Sequence, residues 1–126
     1  MLDIQLDTLQ ECWDDLRKFL KRGLIAGDIW DRDTGLSLVG LDLVPEATAL
    51  INRLTDELTD TLANSGLPGL NRYFLLNLEE DKLCAVIRHG DDLLQGMLLD
   101  PKQTNIGILL TVAIPKAIAK VESARV

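Results

Sequence analysis

The residues of this sequence that are able to do nucleophilic, acid–base or metal chemistry are few and scattered. His89 is the only histidine, and no neighbouring serine or cysteine marks it as half of a catalytic pair. Cys12 and Cys84 are the only cysteines, whereas a metal site needs a denser set of thiolate and imidazole ligands. We therefore expect an exposed His89 at a strand end, two reduced core thiols and no metal site. A catalytic role remains open only if His89 is buried beside an acid or a thiol.

Two acidic segments have the residue types of a calcium loop or of a catalytic carboxylate pair. Asp31 and Asp33 alternate as the first calcium ligands do, but the next ligand and the glycine would fall on Gly35 and Leu36. The acids at 79–81 lie in a predicted solvated turn, which does not separate their pKa values as acid–base catalysis requires. The sequence thus predicts neither calcium binding nor enzymatic activity.

Composition and missing motifs exclude several other classes of partner. There is no phosphate-binding Gly-x-x-x-x-Gly-Lys-Ser/Thr or Gly-x-Gly-x-x-Gly segment, so we expect no cofactor. The net charge of −7 disfavours nucleic acid and anionic membranes. The longest apolar segment, Ile106 to Ile114, is too short for a membrane span, and Met1 to Asp15 lacks the apolar core of a signal peptide. We expect a cytoplasmic protein.

The elements that carry these residues follow from hydrophobic periodicity and turn residues. A chain of 126 residues with 47% apolar content suits one domain over 1–126. The predicted order is α-ββ-α-βββ-α, an α+β fold. The predicted bounds are a helix over 3–21, strands over 23–30 and 36–41, a helix over 45–64, strands over 71–78, 82–89 and 93–99, and a last helix that Thr104 caps and Pro115 kinks. Because the later strands are apolar on both faces, helices should cover both faces of the sheet.

The second helix carries two neighbouring stripes, and their roles decide the functional prediction. One stripe is apolar and is predicted to face the core; it contains Ala47, Leu50, Ile51, Leu54, Leu58 and Leu62. The other is short and polar; it contains Thr48, Asn52, Thr55 and Thr59. Short polar residues are poor helix formers, so this stripe is either a solvated flank or a contact between two helices. The outer face holds Ala49, Arg53, Asp56 and Asp60.

The strand that follows this helix supplies a second indication of self-association. It begins Arg72-Tyr73-Phe74-Leu75-Leu76, and an apolar strand at a sheet edge is prone to aggregation unless it is paired. Pairing with its own copy across a two-fold axis would extend the sheet and bring two copies of the second helix together. We therefore predict a homodimer with an interface of Thr48, Asn52, Thr55, Thr59, Arg72, Phe74 and Leu76.

Particular segments resemble the roadblock/dynein light chain family, and its bacterial members in particular. The segment DIWDRDTG at 28–35 is similar to the first hairpin of that family, and 83–100 to its later strands. The segment NIGILL at 105–110 is similar to the opening of its last helix. The resemblance runs over 24–124, whereas Pro115 and the second glycine-rich loop are departures from it.

The resemblance implies a profilin-like, five-stranded antiparallel sheet of order 2-1-5-4-3, with helix 2 on one face and the other helices on the opposite face. It also implies dimers made by helix 2 and the third strand. Members bind and regulate Ras-like small GTPases, or serve as scaffolds and motor subunits, without a catalytic residue of their own. The predicted function is a non-catalytic GTPase regulator or scaffold, contacted through the helix 2 face. The alternative is a small-molecule sensor of the PAS or profilin-like type, which would need a cavity between sheet and helix.

Overall fold

The computed structural model describes residues 3–126 and has the predicted order of elements. The bounds are α1 (Leu6–Leu20), β1 (Leu24–Asp31), β2 (Ser37–Leu41), α2 (Pro45–Ala63), β3 (Tyr73–Leu78), β4 (Lys82–His89), β5 (Leu93–Leu99) and a last helix built from Ile106–Ile108, Leu109–Ala113 and Ile114–Ala124. Met1 and Leu2, which belong to the segment in which no signal peptide is expected, lie outside the described residues. The α+β class is confirmed.

The five strands form one antiparallel sheet in the order β2-β1-β5-β4-β3, as the resemblance implies. The central strands β1, β5 and β4 are buried on both faces, which explains their lack of alternation. Helices α1 and the last helix pack on one face, and α2 packs on the other. The prediction of helices on both faces is therefore confirmed.

The core is divided unequally by the sheet. The larger part lies under α1 and the last helix, where Trp13 and Leu16 pack with Ile87 and Met97. The smaller part lies under α2 and contains Trp30, Ile51, Cys84, Val86 and Leu94. Because the second cluster is small, the face that carries α2 buries less apolar surface than the opposite face does.

Two predicted helix boundaries need correction. Helix α1 begins at Leu6 rather than at Asp3, because the preceding residues are extended: Ile4 forms a β-bridge with Arg125, and Gln5 N donates to Ala124 O at 2.8 Å. The last helix is capped by Asn105, whose Oδ1 accepts from Ile108 N at 3.1 Å. The predicted cap, Thr104, is buried and donates to Asp100 O instead.

Pro115 is accommodated by a wide turn of the last helix. The segment Leu109–Ala113 is π-helical, and Ile114 N donates to Leu109 O, five residues earlier. A proline removes one donor from the helical ladder and its ring crowds the carbonyl four residues before it. A π-helical turn placed just before the proline relieves both defects, so the disturbance predicted at Pro115 takes this form.

Candidate functional site

The polar stripe of α2 faces its own sheet, which corrects its assignment to an interface between copies. Thr48 and Thr55 are buried within the protomer, at 4% and 0% exposure. Thr48 Oγ1 donates to Asp28 Oδ2 at 3.1 Å, and Thr55 Oγ1 donates to Ile51 O at 2.8 Å. The polar side chains of these two threonines are thus satisfied inside one chain, and a second copy cannot reach them.

Asn52 has the same inward role, and Thr59 lies at the margin. Asn52 Oδ1 accepts from Trp30 Nε1 at 3.1 Å, while its Nδ2 donates to Arg32 O at 3.1 Å. Asn52 therefore joins α2 to β1 and is also removed from the predicted interface. Thr59 is half-buried and donates to Thr55 O at 2.8 Å.

The inward side of α2 is fixed by the hydrogen bonds of Thr48 and Asn52 with β1 and by Ile51, which packs over Gly96 of β5. Gly96 of β5 lies directly beneath, where an added Cβ would be 3.1 Å from the Trp30 ring and 3.2 Å from Ile51 Cδ1. Because Gly96 has no side chain, the Trp30 ring and Ile51 can pack closely between α2 and the sheet. The hydroxyl groups find acceptors on Asp28 and on the helix carbonyls, so their burial leaves no unpaired donor.

The leucine stripe of α2, predicted to face the core, is turned outward in part. Ile51 is buried, but Leu50 is 65% exposed, and Leu54, Leu58 and Leu62 are only half-buried. Leu50 and Leu54 form one wall of an apolar groove of about 310 Å³, and β3 and β4 form its floor through Leu76, Leu78 and Cys84. All ten residues that line this groove are apolar or cysteine. An apolar groove rimmed by exposed leucines is typical of an interaction site.

The groove continues into β3, which is an edge of the sheet. Arg88 N donates to Arg72 O at 2.7 Å, so the even-numbered residues of this strand direct their backbone groups towards β4. The N–H and C=O groups of Tyr73, Leu75 and Asn77 therefore point to the open edge. At the opposite edge, the Trp13 ring of α1 donates to Val39 O of β2 at 3.0 Å. Of the two edges, it is the β3 edge that lies beside the apolar groove.

The remaining predicted interface residues lie at this edge. Phe74 and Leu76 are half-buried on the α2 face of the sheet, and Arg72 is exposed just before the strand begins. The groove is also lined by Leu50, Leu54 and Leu78, which the sequence does not single out as site residues. Their spacing places the two helical leucines correctly on one stripe, but it does not indicate which of two neighbouring stripes a sheet covers.

The four residues predicted to contact a GTPase are all exposed on the outer side of α2. Arg53 Nε lies 3.3 Å from Glu57 Oε1, an exposed ion pair along the helix. Asp56 Oδ1 accepts from Arg32 Nη2 at 2.7 Å, which holds this carboxylate against the first hairpin. Ala49 and Asp60 are exposed beside them, so the face is open to a partner in the protomer.

Asp28 is the buried carboxylate beneath the start of α2. It accepts from Ser37 Oγ at 2.7 Å and from Thr48 Oγ1 at 3.1 Å. Burial raises the pKa of Asp28, while the hydrogen bonds from Ser37 and Thr48 act in the opposite direction. Its two hydroxyl donors join the β1–β2 hairpin to α2, and this gives Asp28 a structural role in positioning the groove.

His89 is buried, at 5% exposure, which corrects its prediction as an exposed residue. Its Nε2 lies 2.8 Å from Gln95 Oε1, and Gln95 Nε2 lies 3.9 Å from Cys12 Sγ, so an amide separates the imidazole from the thiol. Burial is the main cause that lowers the pKa of His89 to about 4 and raises the pKa of Cys12 to about 11. A neutral imidazole and a protonated thiol without solvent access do not make a nucleophile and its base.

The burial of His89 predicts a loss of stability in mild acid. The folded-state pKa of about 4 lies below the ordinary value of 6.5, so the unfolded chain binds more protons between these pH values. The free energy of unfolding should fall as pH drops from about 6.5 to 4, by about 3 kcal/mol from this group. Urea titrations across this range should show a flatter pH dependence for His89→Gln. An equal slope in both proteins would contradict the assignment.

Neither a metal site nor a membrane-spanning helix is found in the part of the chain that the structure describes. Residues 3–126 hold no group of three histidine, cysteine or acidic side chains placed to bind a metal ion. In the segment compared above with a calcium loop, Asp31 Oδ1 accepts from Asp33 N at 2.9 Å and so stabilises the turn itself. No helix over the same residues is both long and apolar enough to cross a bilayer.

Comparison with known proteins connects this geometry with one fold. The sequence matches no model of a protein family and no curated protein. Among solved structures, MglB of Myxococcus xanthus is similar, with a TM-score of 0.80 at 12% identity over 98% of this chain and 91% of that one. The gliding protein MglB of Thermus thermophilus gives a TM-score of 0.71 at 14% identity, over 98% and 97%. A Roadblock/LC7 domain from Streptomyces avermitilis gives 0.64 at 17% identity, over 87% and 94%.

These similarities establish the fold. The chain has the roadblock-like fold of MglB, a five-stranded antiparallel sheet with helices on both faces. The resemblance drawn from the segments around 28–35, 83–100 and 105–110 is confirmed at that level. At such low identity, the partners and the assembly of the chain have to be argued from its own residues.

Proposed function

We propose that this chain is a non-catalytic, homodimeric regulator or scaffold of a Ras-like small GTPase, acting in the cytoplasm as a single roadblock-like domain over 1–126. One observation carries the proposal: the apolar groove beside α2 runs without interruption into the open edge of β3. In the protomer the groove leaves apolar side chains exposed and the β3 edge leaves backbone N–H and C=O groups without a strand partner, and the two features adjoin each other. A surface of this kind is suited to a permanent partner rather than to solvent.

A second copy of the chain is the occupant that satisfies both features at once. A two-fold axis beside β3 pairs the two edges and extends the sheet, so the free N–H and C=O groups of one copy meet those of the other. The same axis brings the exposed Leu50 and half-buried Leu54 of each copy over the groove. The proposed interface therefore consists of these leucines with Phe74 and Leu76, and it no longer includes the inward-facing threonines.

The GTPase contact is proposed on the outer side of α2, through Ala49, Arg53, Asp56 and Asp60. In the dimer this side stays exposed, because the leucine stripe and β3 are the surfaces covered. The support is the resemblance to the roadblock family together with the exposure of these side chains. Charged residues on such a face determine the association rate and the choice of partner more than the affinity.

The GTPase proposal predicts a nucleotide-dependent complex. Mixed with its Ras-like partner, the protein should co-elute in size-exclusion chromatography with the GTPase loaded with a non-hydrolysable GTP analogue, and less with the GDP form. A double variant, Arg53→Glu with Asp60→Arg, should elute as a dimer but lose the complex. Single-turnover hydrolysis with and without the protein separates an activator, which changes the rate, from a scaffold, which does not. Equal binding of both nucleotide forms and of the variant would contradict the proposal.

A small-molecule sensor is the second candidate, and the groove itself favours it. The sensor alternative requires a cavity between sheet and helix, and the 310 Å³ apolar groove lies there. Its ligand would be an aliphatic molecule, since no lining residue offers a charged or amide group. The groove opens to the surface beside a free strand edge, which favours a second copy over a small ligand. A rise in melting temperature with medium-chain fatty acids, seen in a dimer-deficient variant, would support the sensor.

A further inference from the structure

The two ends of β3 carry opposite charges. Arg72 lies exposed immediately before the strand, and Glu79 and Glu80 lie exposed immediately after it. Within residues 3–126, neither Arg72 nor these two glutamates forms an ion pair, whereas the neighbouring Asp81 pairs with Lys102 at 3.0 Å. Antiparallel pairing of β3 with its own copy brings the basic end of each strand to the acidic end of the other. Parallel pairing would instead set Arg72 against Arg72, which is unfavourable.

We propose that the two copies pair through β3 in one antiparallel register, centred on Leu76, in which Arg72 of each copy meets Glu80 of the other. This inference rests on the proposed homodimer and specifies how its strands align. The acidic turn after β3 then becomes a docking element for the basic end of the neighbouring strand, and the ion pair occurs twice in each dimer.

Symmetry limits the registers that are available. A two-fold axis perpendicular to the sheet keeps α2 of both copies on the same face, so directly paired residues have side chains on the same face. A residue of β3 must therefore pair with its own copy at the centre. In the register centred on Leu76, this central pair is of the non-hydrogen-bonded type at the open edge, while Leu75 and Asn77 exchange backbone hydrogen bonds.

Side-chain matching selects Leu76 over the neighbouring centres. With Leu76 at the axis, Leu76 packs on Leu76 and Phe74 on Leu78, so apolar groups meet on the face that continues into the groove. A centre at Leu75 places Arg72 directly opposite Leu78, which sets a guanidinium against an apolar side chain. A centre at Asn77 places Phe74 opposite Glu80. Of these three centres, only Leu76 places Phe74 opposite Leu78 and Arg72 level with Glu80, while Glu79 lies opposite the exposed Tyr73.

Charge exchange between the two positions tests this register. Arg72→Glu and Glu80→Arg should each raise the dimer dissociation constant by about tenfold, because two attractive cross-strand pairs become two repulsive ones. Mixing the two variants should restore wild-type affinity, since the mixed dimer contains one original and one reversed pair. The double variant Arg72→Glu/Glu80→Arg should also dimerise like the wild type. Sedimentation equilibrium of each protein, and of the mixture, measures these constants.

Matched controls make the same charge changes away from β3, on the side of the sheet formed by β1 and β2. Arg22→Glu and Asp33→Arg alter exposed residues beside β1 and in the β1–β2 turn, and both should dimerise like the wild type. A wild-type dimer whose single variants are weakened without mutual rescue would overturn the register and leave the dimer standing. Single variants that dimerise like the wild type would also overturn it. A wild-type protein that is monomeric at micromolar concentration would overturn the proposed homodimer, and the register with it.

Discussion

Leu54→Glu is expected to convert the protein into a folded monomer. In the protomer Leu54 is half-buried on the wall of the groove, so a glutamate there can reach water at small cost to folding. In the proposed dimer the same carboxylate would be covered by the second copy without a partner, and an unpaired buried charge costs about 3–5 kcal/mol. That corresponds to a rise in the dissociation constant by about two to four orders of magnitude.

Sedimentation equilibrium measures this change, and circular dichroism reports whether the monomer keeps its fold. The matched control is Ala49→Glu, which adds the same charge on the opposite, exposed side of α2 and should leave the dimer intact. Dimerisation of Leu54→Glu at wild-type affinity would show that the groove is not covered by a second copy. An unfolded variant would be replaced by Leu50→Glu, because Leu50 is 65% exposed in the protomer and tolerates a charge there.

A glutamate at Thr55 is expected to destabilise the protomer rather than to separate two copies. If Thr55 lay in an interface between copies, a glutamate at this position would leave the monomer folded and would weaken the dimer. Thr55 is instead fully buried against its own sheet, with Oγ1 on Ile51 O. A carboxylate at this position destabilises the protomer itself, so the position reports on folding and not on assembly.

Local patterns are sufficient for the order of the elements, whereas the order of the strands in the sheet follows from the family resemblance. Periodic leucines in α1, the turn residues around Gly35 and Gly90, and Pro45 at the first turn of α2 each indicate an element independently. The antiparallel meander of β3, β4 and β5 follows from short polar turns between apolar runs. These signals agree with one another, so the order of elements was correct throughout.

The site is harder to predict from the sequence than the elements are, because it depends on which stripe of α2 the sheet covers. Hydrophobicity favours burial of the leucines, but the Asp28 carboxylate and the Trp30 ring N–H favour the polar stripe through Thr48 and Asn52. Both of those partners lie on β1 and are distant in sequence, so their effect is seen only after α2 is placed on that strand. The burial of His89 is hidden from the local sequence for the same reason: Gln95, its hydrogen-bond partner, lies on the neighbouring strand.

The largest effect on stability is expected from Gly27→Ala, on the face of the sheet opposite to the groove. An added Cβ at Gly27 would lie 2.8 Å from Cζ3 of the Trp13 ring and 2.9 Å from Gly96 O. Trp13 is completely buried, and its ring N–H donates to Val39 O, so the ring cannot move aside without losing that bond. Overpacking of a rigid core costs about 1–3 kcal/mol, and loss of the Trp13 hydrogen bond adds to this cost. We therefore expect the free energy of unfolding to fall by about 3 kcal/mol.

Urea unfolding at one fixed protein concentration measures this loss, because the stability of the proposed dimer would depend on concentration. Gly69→Ala is the matched control: no atom lies within 4 Å of its added Cβ, and the free energy of unfolding should stay within about 0.5 kcal/mol of the wild type. A Gly27→Ala protein as stable as this control would mean that α1 does not lie on β1. Since α1 and α2 cover opposite faces, the surviving folded fraction should still dimerise, which separates the core of the protein from its interaction surface.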